Sequence, residues 1–297
     1  GSDAAVIRVK GTQKALAMST DCNGRHVYLN PFEGTKGAVA EAARNCVCSG
    51  AKPVAITNCI NFGNPYKPEV YWTFTEAIRG MRDACLAFDT PVTGGNVSFY
   101  NENPQTAIYP TPTIGMLGLI QDVEKVVTQE FKDEGDQIIL LGKRSNEIGG
   151  SEYLKIIHDK ITGNPPQVNL EQEKNLHKVF LEIADKNLAN SAHDCSDGGL
   201  AVALSESCFK QNGKNVGVTI NLDYQYRKDF ELFGESHSRI IMTAKKENIV
   251  EISNICSKNN FNFEIIGEVG GSKIKVNNLI NIAVKDLRDI WENTIKL

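Results

Sequence analysis

Two glycine-containing segments carry side chains that could bind an anion and a cation. The first is Asn61-Phe62-Gly63-Asn64-Pro65, which follows a short apolar run, and the second is Gly94-Gly95-Asn96-Val97-Ser98. Glycine lets the backbone approach a ligand and leaves N–H groups free to point at phosphate oxygens, while Asn and Ser offer neutral oxygen ligands. The two segments together indicate a phosphate site, and the alternative is a pair of ordinary tight turns.

A second candidate combines a carboxylate with a lysine. Asp21 ends a predicted strand, and Gly34-Thr35-Lys36 stands at the predicted start of a helix. A carboxylate suits a cation, whereas a lysine beside a helix N-terminus suits a phosphate. The glycine spacing is not that of a Walker motif. We therefore predict either a metal–phosphate site or a solvated turn before a helix.

A third candidate is the pair His193 and Asp194 in a predicted loop that leads into an apolar helix. These side chains could be catalytic or could bind a metal, and a purely structural role is the alternative. Asp197 follows them and could cap the helix.

The elements that must position these residues follow from hydrophobic periodicity and from turn residues. The first part of the chain has predicted strands at residues 4–10, 14–21, 52–62, 91–100 and 112–122 and helices at residues 37–49 and 68–88. The second part has predicted strands at residues 136–143, 216–222, 238–244, 261–269 and 273–276 and helices at residues 169–188, 200–210, 246–259 and 285–297. A charged stretch at residues 122–135 separates them. We predict an α+β protein with domains at residues 1–125 and 133–297, in which helices cover one face of the first sheet.

Composition narrows the class of protein. The 297 residues are 41% hydrophobic and 23% charged, and the net charge is −4. Runs of five like charges do not occur, which argues against a nucleic-acid surface. No apolar run approaches the roughly 18 residues that span a membrane, so we expect no membrane association and a cytoplasmic location. The chain begins with Gly1 rather than with methionine, which suggests a tag remnant or a piece of a longer protein.

Eight cysteines occur without a C-x-x-C pair, mostly within apolar segments. We predict buried free thiols rather than a disulfide framework or a zinc site. They are Cys22, Cys46, Cys48, Cys59, Cys85, Cys195, Cys208 and Cys256.

Together these motifs resemble the family of phosphoribosylformylglycinamidine synthase II, within the superfamily of aminoimidazole ribonucleotide synthetase. The segments that carry the resemblance are residues 15–23, 40–45, 61–65, 94–102, 108–112, 191–200 and 234–236. They cover nearly the whole chain in order, and the resemblance is to the C-terminal half of that subunit. It implies an N-terminal mixed-sheet domain with helices on one face, followed by a second α/β sandwich domain.

The resemblance implies ATP-dependent conversion of formylglycinamide ribonucleotide and ammonia to formylglycinamidine ribonucleotide, ADP and phosphate. In the family, ATP activates the formamide oxygen and a glutaminase partner supplies ammonia. Four positions match: Asn58 and Gly95 for ATP, Asn96 for magnesium, and Ser98 for the ribonucleotide. Asn58 departs from the usual aspartate. The family's catalytic histidines belong to the other half, so the resemblance gives this chain no catalytic residue.

The same resemblance implies an auxiliary site related to the active site by pseudosymmetry. Asp21 and Asp194 match metal-binding residues there, and Glu235-Ser236-His237 matches a substrate loop. Asn45 stands where the active half has a metal-binding aspartate. We therefore expect a degenerate site with weakened cation affinity, because an amide replaces one of three carboxylates.

Partners also follow from the resemblance: the N-terminal half of the same subunit, a glutaminase subunit and a small adaptor subunit. The open face of the first sheet predicts a homodimer of the isolated chain, since soluble monomers rarely expose a large apolar patch. Two alternatives stay open. One is a complete ATP enzyme of the same fold, of the selenophosphate synthetase or thiamine-phosphate kinase type, and the other is a non-catalytic nucleotide-binding assembly module.

Overall fold

A computed structural model describes residues 2–210 and 213–295 of the chain. The first domain contains strands β1 (Ala5–Arg8), β2 (Ala15–Asp21), β3 (Lys52–Asn61), β4 (Val92–Ser98) and β5 (Thr111–Ile120) and helices α1 (Gly24–Leu29), α2 (Pro31–Cys48) and α3 (Pro68–Phe88). The strands form one sheet in the order β1-β2-β5-β3-β4. Strand β3 is parallel to β4, and the other neighbours are antiparallel.

Helices cover only one face of this sheet. Strand β5 shows this through its alternation: Ile114 and Met116 are buried against α2 and α3, whereas Leu117 and Leu119 on the other face are half-buried. On the neighbouring β2, Met18 is 38% exposed. The prediction of helices on one face is confirmed, and the first sheet keeps a partly apolar open face.

Helix α2 starts earlier than predicted, and this changes the second candidate site. Asn30 caps the helix by accepting a hydrogen bond from the Glu33 amide, and Pro31 occupies its first turn. Residues 34–36 therefore lie in the second turn, where Lys36 is buried and pairs with Glu33 at 2.8 Å. The expectation that Gly34-Thr35-Lys36 opens a helix is wrong, because a capped turn precedes it.

Within the described residues, the second domain adds seven strands and six α-helices. Its strands are β6 (Gln137–Leu141), β7 (Ser191–Asp194), β8 (Val218–Ile220), β9 (Ile240–Ala244), β10 (Phe263–Val269), β11 (Lys273–Val276) and β12 (Ile280–Ala283). Its helices are α4 (Glu152–His158), α5 (Leu170–Asp185), α6 (Gly199–Ser207), α7 (Lys228–Phe233), α8 (Ile249–Lys258) and α9 (Val284–Asn293). The sheet order is β12-β11-β8-β10-β6-β9-β7.

This second sheet is covered on both faces. Along β6, Ile138 and Leu140 belong to the core beneath α6, whereas Ile139 and Leu141 belong to the core beneath α5 and α8. Val47 and Cys48 from the end of α2 enter the latter core, so α2 joins the two domains. The predicted α+β architecture with a second α/β sandwich domain is confirmed.

Several local predictions are wrong. His193 and Asp194 lie in strand β7 rather than in a loop, since β7 pairs along its length with β9. Helices α1 and α7 and strand β12 were not predicted; the two helices have six residues each, too few to show a helical period. The predicted helix at residues 285–297 corresponds to α9, and residues 296 and 297 lie outside the described part of the chain.

Candidate functional site

The glycine-containing segments meet at one edge of the first sheet. Strand β4 is the edge strand and runs parallel to β3. The register places Asn58 beside Gly95, Cys59 beside Asn96, and Asn61 beside Ser98. The four positions expected to bind ATP, magnesium and ribonucleotide therefore lie on two adjacent strands. We call residues 58–67 and 94–102, which are the ends of β3 and β4 together with the loops that follow them, the edge-strand loops.

Asn58 and Gly95 face the helices. The Nδ2 atom of Asn58 lies 3.5 Å from the Met81 sulfur in α3. A Cβ atom on Gly95 would lie 2.1 Å from Oδ1 of Asn58. Only glycine fits here, and its backbone stays accessible because an edge strand leaves one row of N–H and C=O groups unpaired.

Asn96 and Ser98 lie on the opposite face, since successive strand residues alternate between faces. Asn96 is exposed, as is its register neighbour Cys59. Ser98 is half-buried. The structure thus brings the predicted positions together at the β3–β4 edge of the sheet, with Asn58 and Gly95 on the helix-covered face and Asn96 and Ser98 on the other face.

Asn96 fits a magnesium site only as one contributor among several. Mg²⁺ takes about six oxygen ligands and commonly binds through one or two protein groups together with phosphates and water. In the described residues, three His, Cys, Asp or Glu side chains converge only at Asp3, His193 and Asp194. Asp3 directly precedes β1, at the opposite edge of the sheet. The amide oxygen of Asn96 would therefore need phosphate, water or another polypeptide to complete a coordination sphere.

A second group of polar residues, half-buried to fully buried, lies where α2 meets β2, α5 and β7, and we call it the buried charge cluster. Its carboxylates come from β2, α2, α5, β7 and the segments beside them, and Arg44 of α2 lies among them. The members are Asp3, Asp21, Glu41, Arg44, Glu173, His193 and Asp194.

Arg44 is the central cation of this cluster. Its side chain is 0% exposed, with Nη1 2.8 Å from Oε1 of Glu173 and Nε 3.5 Å from Oδ2 of Asp194. Glu173 also accepts a hydrogen bond from the Ser238 hydroxyl at 2.6 Å. Although burial opposes its ionisation, the Arg44 guanidinium holds the pKa of Glu173 well below its usual range. A buried pair of this kind keeps both charges only because each compensates the other.

His193 is a second cation in the cluster. Its Nδ1 lies 2.6 Å from Oδ1 of Asp3, and its Nε2 lies 3.1 Å from Oε2 of Glu206. Burial opposes protonation, but these carboxylates raise the pKa of His193 well above its ordinary value. An imidazolium that donates from both nitrogens has no lone pair for a metal. The geometry therefore supports a structural role for His193 rather than metal binding.

The remaining carboxylates are crowded. Burial, followed by the charges of Asp194 and Asp197, raises the pKa of Asp21 well above its usual range. Burial and the Asp3 carboxylate raise the pKa of Asp194 to about 6, against the lowering effect of Arg44. Asn45 donates from Nδ2 to Oδ2 of Asp21 at 3.3 Å. The Asn45 amide therefore stabilises the Asp21 carboxylate by a hydrogen bond, whereas a carboxylate at position 45 would repel it.

The segment expected to form a substrate loop at the auxiliary site is also internal. Glu235 accepts hydrogen bonds from the amides of Glu152 and Gly198 at 2.8 and 2.9 Å, so it braces the starts of α4 and α6. Ser236 is buried. Burial, followed by the Arg44 charge, lowers the pKa of His237 to about 3, so this imidazole is neutral.

Sequence reasoning missed Asp3, Glu41 and Glu173 as members of this cluster. One signal was available for Glu173, which lies one helical turn before Leu176 and so falls on the core stripe of α5. A carboxylate on the buried side of a helix stays ionised only when a cation pairs with it, and Arg44 is the cation that pairs with Glu173. All eight cysteines, which lie within the described residues, are free thiols.

None of the helices within residues 2–210 and 213–295 combines the length and apolar character that crossing a membrane requires.

Comparison with known proteins places the chain in a family. The AIR synthase related protein family matches with its N-terminal domain over residues 1–120 and with its C-terminal domain over residues 133–277. The phosphoribosylformylglycinamidine synthase subunit PurL of Thermoanaerobacter pseudethanolicus is 48% identical over 300 aligned residues, which cover 100% of this chain. The chain spans 40% of the length of that relative.

Solved structures share the fold. T. maritima PurL complexed with FGAR aligns with a TM-score of 0.81 at 20% identity, over 96% of this chain and 47% of that one. The same protein complexed with ATP aligns with a TM-score of 0.76 at 19% identity, over 95% and 45%. AaThiL complexed with AMPPCP and TMP aligns with a TM-score of 0.65 at 17% identity, over 95% and 90%. The chain therefore belongs to the AIR synthase related family, as a two-domain unit similar along its whole length to part of PurL.

Proposed function

We propose that this chain is the C-terminal half of an ATP-dependent amidoligase. The whole enzyme converts formylglycinamide ribonucleotide, ATP and ammonia derived from glutamine into formylglycinamidine ribonucleotide, ADP and phosphate in cytoplasmic purine biosynthesis. The observation that carries the proposal is the edge-strand arrangement of Gly95, Asn96 and Ser98 in a chain 48% identical along its length to a PurL subunit. Structures of T. maritima PurL complexed with FGAR and with ATP support the ligand classes.

The roles of individual residues follow from their positions. ATP would lie against the exposed backbone of Gly95, with the Asn58 amide on the helix side of the strand. Asn96 would offer one oxygen to a magnesium ion, which would neutralise phosphate charge during transfer. The Ser98 hydroxyl would hydrogen-bond the ribonucleotide on the other face. Because Asn58 is neutral, its contact with nucleotide would be a hydrogen bond without ionic character.

The open sheet face gives the missing half a place to bind. Leu117, Leu119 and Met18 expose apolar surface there, and a second sheet packed on this face would bury it. We expect the isolated chain to cover the face with a second copy of itself. Light scattering at tens of micromolar should give a dimer, and Leu117→Glu should give a monomer with the same circular dichroism. A wild-type monomer would contradict this expectation.

The activity itself is tested by reconstitution. The chain is mixed with the remaining part of the T. pseudethanolicus relative, and ADP formation is followed with formylglycinamide ribonucleotide, ATP, magnesium and ammonium chloride. We expect ADP only when both polypeptides, the ribonucleotide and ammonium are present. A co-eluting assembly without turnover would contradict the proposal. Phosphorylation of thiamine phosphate by the chain alone would favour the kinase alternative, since the chain covers 90% of AaThiL.

In this assembly the glutaminase and adaptor subunits would dock on the completed enzyme and deliver ammonia. A structure of PurLQS from Thermotoga maritima, aligned with a TM-score of 0.73 at 17% identity over 95% of this chain and 46% of that one, supports such partners. Addition of a glutaminase subunit and glutamine in place of ammonium chloride tests this step.

A further inference from the structure

The segment that follows β4 has an unusual backbone. Tyr100 adopts φ +62°, a left-handed conformation that is unfavourable for a bulky residue. Its amide donates to the Gly63 carbonyl at 3.0 Å, and the next amide, of Asn101, donates to the Phe62 carbonyl at 3.1 Å. This turn therefore attaches the end of β4 to the loop after β3. A strained conformation persists only where its surroundings hold it.

The Asn101 side chain joins the two edge-strand loops from within. Its Nδ2 donates to the Phe62 carbonyl at 3.0 Å and to the Ser98 carbonyl at 2.9 Å. The Ser98 hydroxyl lies 3.3 Å from Oδ1 of the same amide, to which it can donate. One side chain thus fixes both the backbone and the hydroxyl orientation of Ser98.

Glu102 makes a second connection. Its Oε2 accepts the Asn64 amide at 2.9 Å, and its Oε1 lies 3.0 Å from Nζ of Lys67. The Asn64 amide, followed by Lys67, lowers the pKa of Glu102 below its usual value, so the carboxylate stays ionised at neutral pH. Both partners lie between the end of β3 and the start of α3, so Glu102 sets the path of this loop.

These contacts also shape the neighbouring surface. Phe62 and Gly63 line a cavity of about 740 Å³ between α1, the start of α3 and residues 106–110. A Cβ atom on Gly63 would lie 3.0 Å from Oε2 of Glu102 and 3.1 Å from the Ala107 Cβ. The loop therefore packs closely against Glu102 and has little freedom to shift.

We propose that Asn101 and Glu102 are positioning residues that lock the two edge-strand loops together and orient the Ser98 hydroxyl toward the ribonucleotide. Neither side chain needs to touch a ligand. The proposal rests on the proposed function for the identity of the ligand, but the lock itself is a property of this chain alone.

Amide hydrogen exchange of Asn64 and Tyr100, measured by NMR on the chain itself, tests the lock. Glu102→Ala should speed exchange at Asn64 about tenfold, the factor expected when one hydrogen bond is lost. Asn101→Ala removes the side-chain hydrogen bonds to the Phe62 and Ser98 carbonyls and should speed exchange at the neighbouring Tyr100 amide by a smaller factor, since the Gly63 acceptor of that amide remains. Glu102→Gln keeps an acceptor for the Asn64 amide and should restore most of the protection. Glu69→Ala, which removes an exposed carboxylate in the same region, is the control and should change neither rate.

Kinetics of the reconstituted assembly test the positioning role. Asn101→Ala and Glu102→Ala should raise the KM for the ribonucleotide about tenfold and leave the KM for ATP unchanged, because one ligand hydrogen bond is misplaced. Unchanged exchange rates, or faster exchange with an unchanged ribonucleotide KM, would overturn the proposal. If the wild-type assembly shows no turnover, the proposed function fails, and the exchange rates alone then support or overturn the lock.

Discussion

The edge-strand loops and the buried charge cluster both carry side chains with oxygen atoms that could bind a cation, yet they differ in exposure and in how their polar groups are paired. At the edge strand, Asn96 points to solvent, and β4 is the outermost strand of the sheet formed by the described residues. In the buried charge cluster, Arg44 pairs with Glu173 and His193 pairs with Asp3, so the two cations offset part of the charge of the five carboxylates. The first region exposes polar groups at a sheet edge, whereas the second pairs part of its charge internally.

The difference shows why acidic residues alone are a weak guide to a metal site. Asp21 and Asp194 have the residue type and the burial that a cation site requires. Arg44 and the Asn45 amide occupy the surroundings where a cation would otherwise balance them. Conversely, Asn96, the position of the edge-strand loops that we propose as a metal ligand, is neutral, and an incoming phosphate would bring the negative charge that a magnesium ion requires.

The largest effect should follow from removing the central cation. Arg44→Ala leaves Glu173 and Asp194 buried without their partner and should lower the free energy of unfolding by about 3–5 kcal/mol. Urea denaturation followed by circular dichroism measures the change, with Arg82→Ala on the exposed side of α3 as the control. A loss below about 1 kcal/mol, the range of exposed ion pairs, would show that Arg44 does not offset the buried charges of Glu173 and Asp194.

The second cation should give a smaller effect with a distinct pH dependence. His193→Gln loses charged hydrogen bonds and should cost about 1.5–3 kcal/mol near neutral pH. The folded-state pKa of His193 is raised above its ordinary 6.5. Its contribution is therefore fully present below pH 6.5 and is lost as the pH rises through the folded value. Denaturation midpoints from pH 6 to pH 9 should fall in the wild type and fall less in His193→Gln. Parallel curves would contradict a protonated His193.

At the edge strand, two adjacent glycines form a matched pair. Gly95→Ala places a methyl group 2.1 Å from Oδ1 of Asn58 and should cost about 1–3 kcal/mol while abolishing nucleotide binding. At Gly94 an added Cβ meets nothing within 4 Å, so Gly94→Ala should change stability by less than about 0.5 kcal/mol. Thermal denaturation and nucleotide titration compare the two variants. Equal effects would show that the close approach of Asn58 and Gly95 does not constrain this strand.

The smallest expected effect sharpens the contrast between the two regions. Asn45→Asp removes the hydrogen bond to Asp21 and adds a carboxylate, so stability in EDTA should fall by about 0.5–1.5 kcal/mol. Millimolar magnesium should then recover part of the loss in the variant and leave the wild type unchanged. A wild type stabilised to the same extent would show that the cluster already accepts a cation.

Periodicity and turn residues predicted the long elements well. The helix predicted at residues 68–88 corresponds to α3 (Pro68–Phe88), and the strand predicted at residues 112–122 corresponds to β5 (Thr111–Ile120). Short elements were missed because α1 and α7 have six residues each and too few positions to show a period. The start of α2 was misplaced because the capping role of Asn30 and Pro31 was overlooked.

The candidate site was only partly predictable. Local motifs identified the edge-strand loops, since glycines, amides and hydroxyls stand next to one another in the sequence. They did not show that Asn58 and Asn96 face opposite sides of the sheet, which depends on the register between β3 and β4. The buried charge cluster was predicted only in part: Asp21, His193 and Asp194 were candidates, whereas Asp3, Glu41 and Glu173 were not, because the members are distant in sequence. Arg44 and Glu173 are separated by 129 residues and meet only when the domains pack together.

We propose that nucleotide binds at the edge-strand loops and not at the buried charge cluster. Calorimetric titration of Mg-ATP into the chain, repeated on Asn96→Ala and Asp21→Ala, tests it most directly. We predict that binding is lost in Asn96→Ala and retained in Asp21→Ala. Binding that survives Asn96→Ala and disappears in Asp21→Ala, or a wild-type chain that does not bind Mg-ATP, would contradict the claim.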